Sequence, residues 1–340
     1  MGQRLPVKVR PGHTADLEGF YALAVAAAPG MTNLPPNRAA LAAKLAATQA
    51  ALSSAEARAG GAPLVFIIEH DGEVSGTACI FVRIGIEWPF YSYKLSRLAQ
   101  TSKSLGKTVS LQVLNLVNDF DGCAEVGGLF IAPAARGTAA GRLAARSRYL
   151  FIAEHRDWFG ERLISELRGV LDEAGRSPVW EALGRRFYGM SFVEAERTAA
   201  QYGGQFIADL GPKHPIYVNL LAPEAQAALG QPHKDGLRAR DLLVEEGFRY
   251  ESYVDIFDGG PTMITGIDAL TAVRDSRLVR VGEIRAGLAG PERLISSGRA
   301  QAFRAAHGVI LADGDQAVVE PALAEALELQ TGDLIRHVLF

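Results

Sequence analysis

The spacing of apolar positions changes repeatedly along the chain, and the changes predict an α+β protein. Val7-Lys-Val-Arg10 reads as a first strand. Thr14 caps a helix from Asp16 to Ala28, which Pro29-Gly30 would stop. The loop Met31 to Pro36 leads into a second helix over residues 38–58. Leu64-Val-Phe-Ile-Ile-Glu69, the turn His70-Asp-Gly-Glu73 and the run Val74 to Ile86 predict a hairpin. Further strands are predicted over Thr108 to Val117, Val126 to Ile131 and Arg162 to Val170, and Ser177-Pro178 opens a helix over Val179 to Arg186. The segment 277–340 reads as short strands, Leu278-Val-Arg-Val, Val309-Ile-Leu and Ile335 to Leu339, with a helix over Pro321 to Leu327. Trp180 to Phe192 and Asp241 to Tyr253 share a plan of helix, glycine and aromatic residues. That echo is short and reads either as a duplicated domain or as chance.

The stretch 125–150 carries the chemistry. Its strand stops at Pro133, and a small-residue loop, Arg136-Gly-Thr-Ala-Ala-Gly141, precedes a run of good helix formers. A strand, a tight loop and a helix start suit a phosphate-bearing cofactor, because loop N–H groups and the positive end of the helix dipole face the anion. Small side chains let the backbone come close. A plain turn ahead of a helix has the same composition. The G-x-G-x-x-G spacing of a dinucleotide fingerprint is missing, and no Gly-Lys-Ser/Thr follows as a Walker loop requires.

Composition narrows the class. The 340 residues allow two domains or one large one, and 48% apolar residues support a packed core. A net charge of −3 gives no general electrostatic reason to bind nucleic acid. Locally, Arg136, Arg142, Arg146 and Arg148 form a basic run that suits a ligand's phosphates or a solvated helix face equally well. Cys79 and Cys123 lie outside any C-x-x-C pair, which fits a reduced compartment and not a zinc site, so no metal is expected. No signal-peptide core opens the chain, and no stretch approaches the ~18 apolar residues of a membrane span. The expectation is a cytoplasmic protein without a membrane or nucleic-acid partner.

Arg136-Gly-Thr-Ala-Ala-Gly141 resembles the acyl-CoA signature Arg/Gln-x-x-Gly-x-Gly/Ala of the GNAT N-acyltransferase superfamily, with Ala139 replacing the first signature glycine. Alanine fits there at negative φ and is strained in left-handed backbone. The chain as a whole resembles the arginine N-succinyltransferase family. The matching strings are Glu166-Leu-Arg-Gly-Val-Leu-Asp-Glu173 with Ser177-Pro-Val-Trp180, Phe206-Ile-Ala-Asp-Leu-Gly-Pro-Lys-His-Pro-Ile-Tyr217, Gly230-Gln-Pro-His233, Glu246-Gly-Phe248 and Tyr253-Val-Asp-Ile-Phe-Asp-Gly-Gly-Pro-Thr262. Besides Ala139, the departures are Thr32-Asn33-Leu34-Pro35 for the family's Thr-Ser-Leu-Pro and Gln100-Thr101-Ser102 for its His-Ala-Ser. They bear on amine specificity more than on reaction class.

The resemblance implies a GNAT-like fold: a mixed, mostly antiparallel twisted sheet flanked by helices, with a small β-rich C-terminal segment. It implies an acyl-CoA-binding domain over 1–200, a second part over 201–276 carrying a catalytic histidine, and the segment 277–340. The implied reaction moves the succinyl group of succinyl-CoA to the α-amine of L-arginine, with succinyl-CoA as co-substrate and no tightly bound cofactor. Ornithine, another amine or acyl donor, and a non-catalytic subunit stay open as alternatives. Some members pair α with β subunits, and the α chains lack the signature loop. This chain largely keeps it, so it resembles the CoA-competent type, as a homo-oligomer or a paired subunit.

By the same resemblance His233 is the proton donor, able to take a proton from the amine and return it to the thiolate. Glu125 stands eleven residues before Arg136, the spacing at which histone-acetylating GNAT enzymes place a general base. A glutamate on a wet strand edge is the alternative. Leu129 matches the succinyl-CoA-binding position and would act through its backbone N–H, beside Gly127 and Gly128, which suit a bulge or a close ligand approach. Arg136, Gly137, Thr138, Ala139, Ala140, Gly141 and Arg142 would hold the coenzyme. Asp255 and Asp258 could pair with a guanidinium and Arg168 with a succinyl carboxylate, although structural ion pairs explain them equally. His214 reads as a turn residue, and Phe187, Tyr188 and Met190 as core.

Overall fold

The computed structural model describes residues 6–27, 31 and 34–340. Among them the chain runs through strands β1 (Lys8–Pro11), β2 (Pro63–His70), β3 (Glu73–Phe81), β4 (Ser92–Ser102), β5 (Lys107–Val117), β6 (Ala124–Ile131), β7 (Arg162–Glu166) and β8 (Ile216–Tyr217). It continues through β9 (Arg249–Asp255), β10 (Pro261–Gly266), β11 (Arg277–Ile284), β12 (Glu292–Ser297), β13 (Arg304–Asp313), β14 (Gln316–Val319) and β15 (Leu334–Leu339). The stop expected at Pro29-Gly30 and the departure at Thr32-Asn33 lie outside the described residues.

Two compact units form. The first takes residues up to Arg83, then Ala124–Glu161 and Gly266–Phe340; the second takes Ile84–Cys123 and Arg162–Thr265. The chain enters the second unit twice, so the expected cuts at 200 and 276 are not where the structure divides. Residues 162–200 belong with 201–265, and 124–161 belong with the C-terminal segment.

In the first unit an antiparallel sheet runs β13-β1-β2-β3-β6. Its central strand β2 is a continuous apolar run because both faces are covered. On one face Val65 and Ile67 pack with Phe20, Leu41 and Leu45, which come from the helices Leu17–Ala27 and Arg38–Ser53. The second predicted helix breaks at Ser54, whose side chain accepts from the Ala57 N–H and caps a new helix, Ala55–Ala59. On the other face Phe66 meets Phe151 of the helix Ala140–Glu154 edge-on at 5.1 Å, and Phe303 closes the cluster. The C-terminal segment is a closed five-stranded barrel, β12-β15-β11-β14-β13 and back to β12, parallel only between β11 and β14. Val279, Val281, Ile295, Ile310, Val319 and Ile335 fill it. β12 and β14 escaped the sequence reading because β12 has only two apolar residues, Leu294 and Ile295, and β14 is only four residues long.

The second unit's sheet runs β7-β10-β9-β4-β5-β8. β4 was not expected, since Ser-Tyr-Lys-Leu-Ser-Arg-Leu-Ala-Gln-Thr-Ser shows little burial; its eleven-residue register with β5 holds it. Trp180 is fully buried, stacks on Tyr188 at 5.4 Å and donates from Nε1 to the Met190 carbonyl. Phe187, expected in the core, is 42% exposed. It follows a π-helical turn, Trp180–Gly184, that turns the next residues by an extra step. The echo does not hold as a duplication. After Gly189 a capping box of Ser191 and Glu194 starts another helix, Phe192–Tyr202, whereas Gly247 leads into β9. No helix among the described residues is long and apolar enough to cross a membrane.

Candidate active site

In the first unit, β6 breaks register with β3 at the residues the sequence singled out. Thr77 pairs with Phe130 and Cys79 with Gly127, so Gly128 and Leu129 together oppose the single residue Ala78. Gly128 sits in left-handed backbone (φ +57°), which a bulge of this kind demands. Leu129 therefore stands outside the regular ladder. The strand ends at Ile131, and a 3-10 turn, Pro133–Ala135, brings the chain to Arg136, whose Nε donates to the Ile131 carbonyl. Gly137 is left-handed (φ +79°) with open space where a side chain would be. Thr138 donates from Oγ1 to the Ala135 carbonyl and accepts from the Ala140 N–H, the first of the helix. Ala139 has φ −70°, so alanine costs no backbone strain where the signature has glycine. The fifteen-residue helix Ala140–Glu154 then begins, and its first-turn N–H groups have no intrahelical acceptor.

The basic run is not one surface patch. Arg146 and Arg148 are buried: Arg146 donates to the Leu339 carbonyl, and Arg148 to those of Cys79 and Gly127. Only Arg136 is exposed, and Arg142 is half-buried with its guanidinium 5.4 Å from the Phe340 ring. The helix has one wet flank at its start and is sunk into the unit beyond it.

Glu125 lies near the start of β6, opposite Phe81. Burial pushes its carboxyl up to about 7, against the opposing pull of Lys44 and Arg148. A carboxylate with that proton affinity can accept a proton near neutrality.

In the second unit His233 is loop-borne but pinned. Its N–H donates to the Arg168 carbonyl at 2.7 Å, and the preceding Pro232 bridges Gly169. Its Nδ1 accepts from the Asp235 N–H at 3.3 Å, with the Asp235 carboxylate 3.5 Å away. With Nδ1 accepting, the neutral ring carries its proton on Nε2.

Asp258 lies near both Arg168 and Asp255, yet the two aspartates have structural work. Asp258 accepts from the N–H groups of Gly169 and Gly260, and Asp255 from those of Phe257 and Asp258. Burial raises the pKa of both. Sequence reasoning missed Glu196, which stands 3.8 Å from Arg168 and is pushed up to about 7 by burial. Nothing in its helical context marked it, because the cluster forms only when the helix Phe192–Tyr202 packs. His214 is exposed in a bend, and Gln100-Thr101-Ser102 ends β4.

Residues 7–272 match the family described as arginine N-succinyltransferase beta subunit, and residues 277–338 match the C-terminal domain of that subunit. Arginine N-succinyltransferases of Salmonella typhimurium and Salmonella dublin are each 40% identical to this chain over 337 residues, covering 97% of this chain and 96% of theirs. The structure of arginine/ornithine succinyltransferase subunit AI from Pseudomonas aeruginosa matches with a TM-score of 0.88 at 30% identity, covering 98% of this chain and 99% of that one.

Proposed function

This chain belongs to the arginine N-succinyltransferase family, and on that premise we propose that it transfers the succinyl group of succinyl-CoA to the α-amine of L-arginine. The observation that carries the reading is the sequence of bulge, left-handed Gly137 and helix start between Gly128 and Arg142. Main-chain N–H groups there suit the coenzyme's phosphates, and Leu129, freed from the ladder, can polarise the thioester carbonyl.

The chemistry divides among three groups. Glu125 takes the proton from the arginine ammonium. The free amine attacks the thioester carbon, and the oxyanion forms against the Leu129 N–H. The nitrogen sheds its second proton to water as the amide forms. As the carbon–sulfur bond breaks His233, acting as the imidazolium with Nδ1 toward the Asp235 carboxylate, protonates the departing thiolate from Nε2 and is left as the neutral ring. Arg168 is assigned the succinyl carboxylate. Of the carboxylates around it, Glu196, only loosely paired with Arg168 at 3.8 Å, is assigned the substrate guanidinium, since backbone N–H groups engage Asp255 and Asp258. Both cysteines are free and buried, which suits the reducing cytoplasm as its location.

The Pseudomonas protein's description names ornithine as well as arginine, so the amine is the part to test. Thiol release is measured with arginine, ornithine and lysine, each with succinyl-CoA and acetyl-CoA. The reading expects the highest kcat/KM for arginine with succinyl-CoA. Faster turnover of ornithine would reassign the amine, and no thiol release with any pair would leave a non-catalytic subunit.

A further inference from the structure

The inner face of the C-terminal barrel is apolar until its end, where three cationic or imidazole side chains replace the core. Arg277 stands opposite His337 across β11 and β15, and Ile295 stands opposite His337 on the other side. Arg293 lies two residues before Ile295, on the same face. Since Val279 and Ile295 belong to the barrel core, all three groups point to the barrel's inside. There a cavity of about 340 Å³ opens, lined by Arg277, Val279, Arg293, Ala312, Gly314 and His337. Barrel mouths are a recurrent place for small ligands.

We propose that this mouth binds a small oxyanion, held by the Arg277 and Arg293 guanidiniums with the His337 imidazole as a third donor. Neither guanidinium forms an ion pair with a carboxylate among the described residues. Arg293 Nη1 lies 3.3 Å from His337 Nδ1. A guanidinium can only donate, so Nδ1 accepts and the ring's proton sits on Nε2. That Nε2 is buried without a hydrogen-bond partner, in a residue only 4% exposed. A buried donor left unsatisfied is destabilising, and an anion's oxygen would satisfy it. Burial and the two arginines push the His337 pKa down to about 4, so the imidazole meets the anion as a neutral donor. Two guanidiniums match a ligand with at least two oxygens, which phosphate and a dicarboxylate share. None of the six lining residues belongs to the stretch 125–142.

The full-length chain is titrated with inorganic phosphate and, separately, with succinate, and the His337 side-chain nitrogen signals are followed by NMR. The signals are assigned by their loss in His337→Gln. Reading at His337 separates this mouth from anions that settle at the helix start after Arg136. The expected result is a saturable shift with one or both anions, weakened about tenfold by Arg277→Ala and abolished by Arg277→Ala/Arg293→Ala. Arg277 is exposed, so its truncation leaves the barrel core intact. Phosphate acting alone defines an inorganic-anion site, and succinate acting alone a dicarboxylate site. The absence of any saturable shift, or an unchanged affinity in the double variant, overturns the proposal.

Discussion

Arg148 donates from Nη1 to the Gly127 carbonyl at 3.1 Å, and the same nitrogen lies 3.2 Å from the Cys79 carbonyl. One buried guanidinium thus fastens the helix Ala140–Glu154 to β3 and β6 at the point where Gly128 breaks their register. Charge-assisted hydrogen bonds of this kind are worth about 1.5–3 kcal/mol each, and their loss leaves buried carbonyls unsatisfied. Arg148→Met is expected to cost about 2–4 kcal/mol in urea unfolding, and Arg148→Lys less, because the ammonium keeps a charged donor for the two carbonyls on a differently shaped side chain. A methionine variant as stable as the parent would show that the fastening is idle.

Gly128 occupies left-handed backbone inside a strand. Gly128→Ala is expected to lose about 1–2 kcal/mol and to raise KM for succinyl-CoA, because relief of the strain straightens the bulge and returns Leu129 to the ladder. A rise in KM without any loss of stability would contradict the bulge account.

Ala139 offers the converse test. Its φ of −70° is ordinary for alanine, so restoring the signature glycine should bring nothing. Ala139→Gly is expected to leave KM for succinyl-CoA within about twofold and to change stability by less than about 0.5 kcal/mol, because the residue caps the helix Ala140–Glu154 rather than lying inside it. A marked gain in affinity would mean that the loop turns left-handed when the coenzyme binds.

Glu125 couples activity to stability. Its carboxyl is pushed up to about 7 in the fold and returns to its ordinary range near 4.5 in the unfolded chain. Between those values the folded form holds a proton that the unfolded form has lost, so stability falls as pH rises through the window. Above pH 7 the full cost is present, and below pH 4.5 it is absent. Glu125→Gln is therefore expected to gain about 2 kcal/mol at pH 8, to gain nothing at pH 4, and to lower kcat/KM by about 100-fold. The parent's kcat/KM should rise with pH through an inflection near 7 that the variant lacks. If the variant keeps that inflection, the proton acceptor is another group.

Glu196 separates amine recognition from coenzyme binding. Glu196→Gln is expected to raise KM for arginine about tenfold while KM for succinyl-CoA stays unchanged, since a desolvated guanidinium–carboxylate pair is lost. If both constants move together, Glu196 only holds Arg168 in place.

What the sequence revealed follows from how local each feature is. The strand, loop and helix of 125–150 were legible because their logic runs through neighbours: Pro133 ends the strand, small residues shape the loop, and good helix formers follow. The hairpin of β2 and β3 was legible for the same reason. The two-unit division was not, because it depends on which distant segments pack together: 84–123 with 162–265. The inward turn of Arg146 and Arg148 was hidden too, since a basic residue on a helix reads as wet until Gly127, Cys79 and Leu339 present carbonyls to it. Glu196 and His337 gave no signal at all, being ordinary residues until their elements pack.

The most direct test is a crystal structure of the chain with succinyl-CoA bound. The account predicts the pyrophosphate against main-chain N–H groups between Arg136 and Arg142, and the thioester oxygen within hydrogen-bond distance of the Leu129 N–H. Coenzyme bound elsewhere, or a bulge that closes with Leu129 paired back into the ladder, would contradict it.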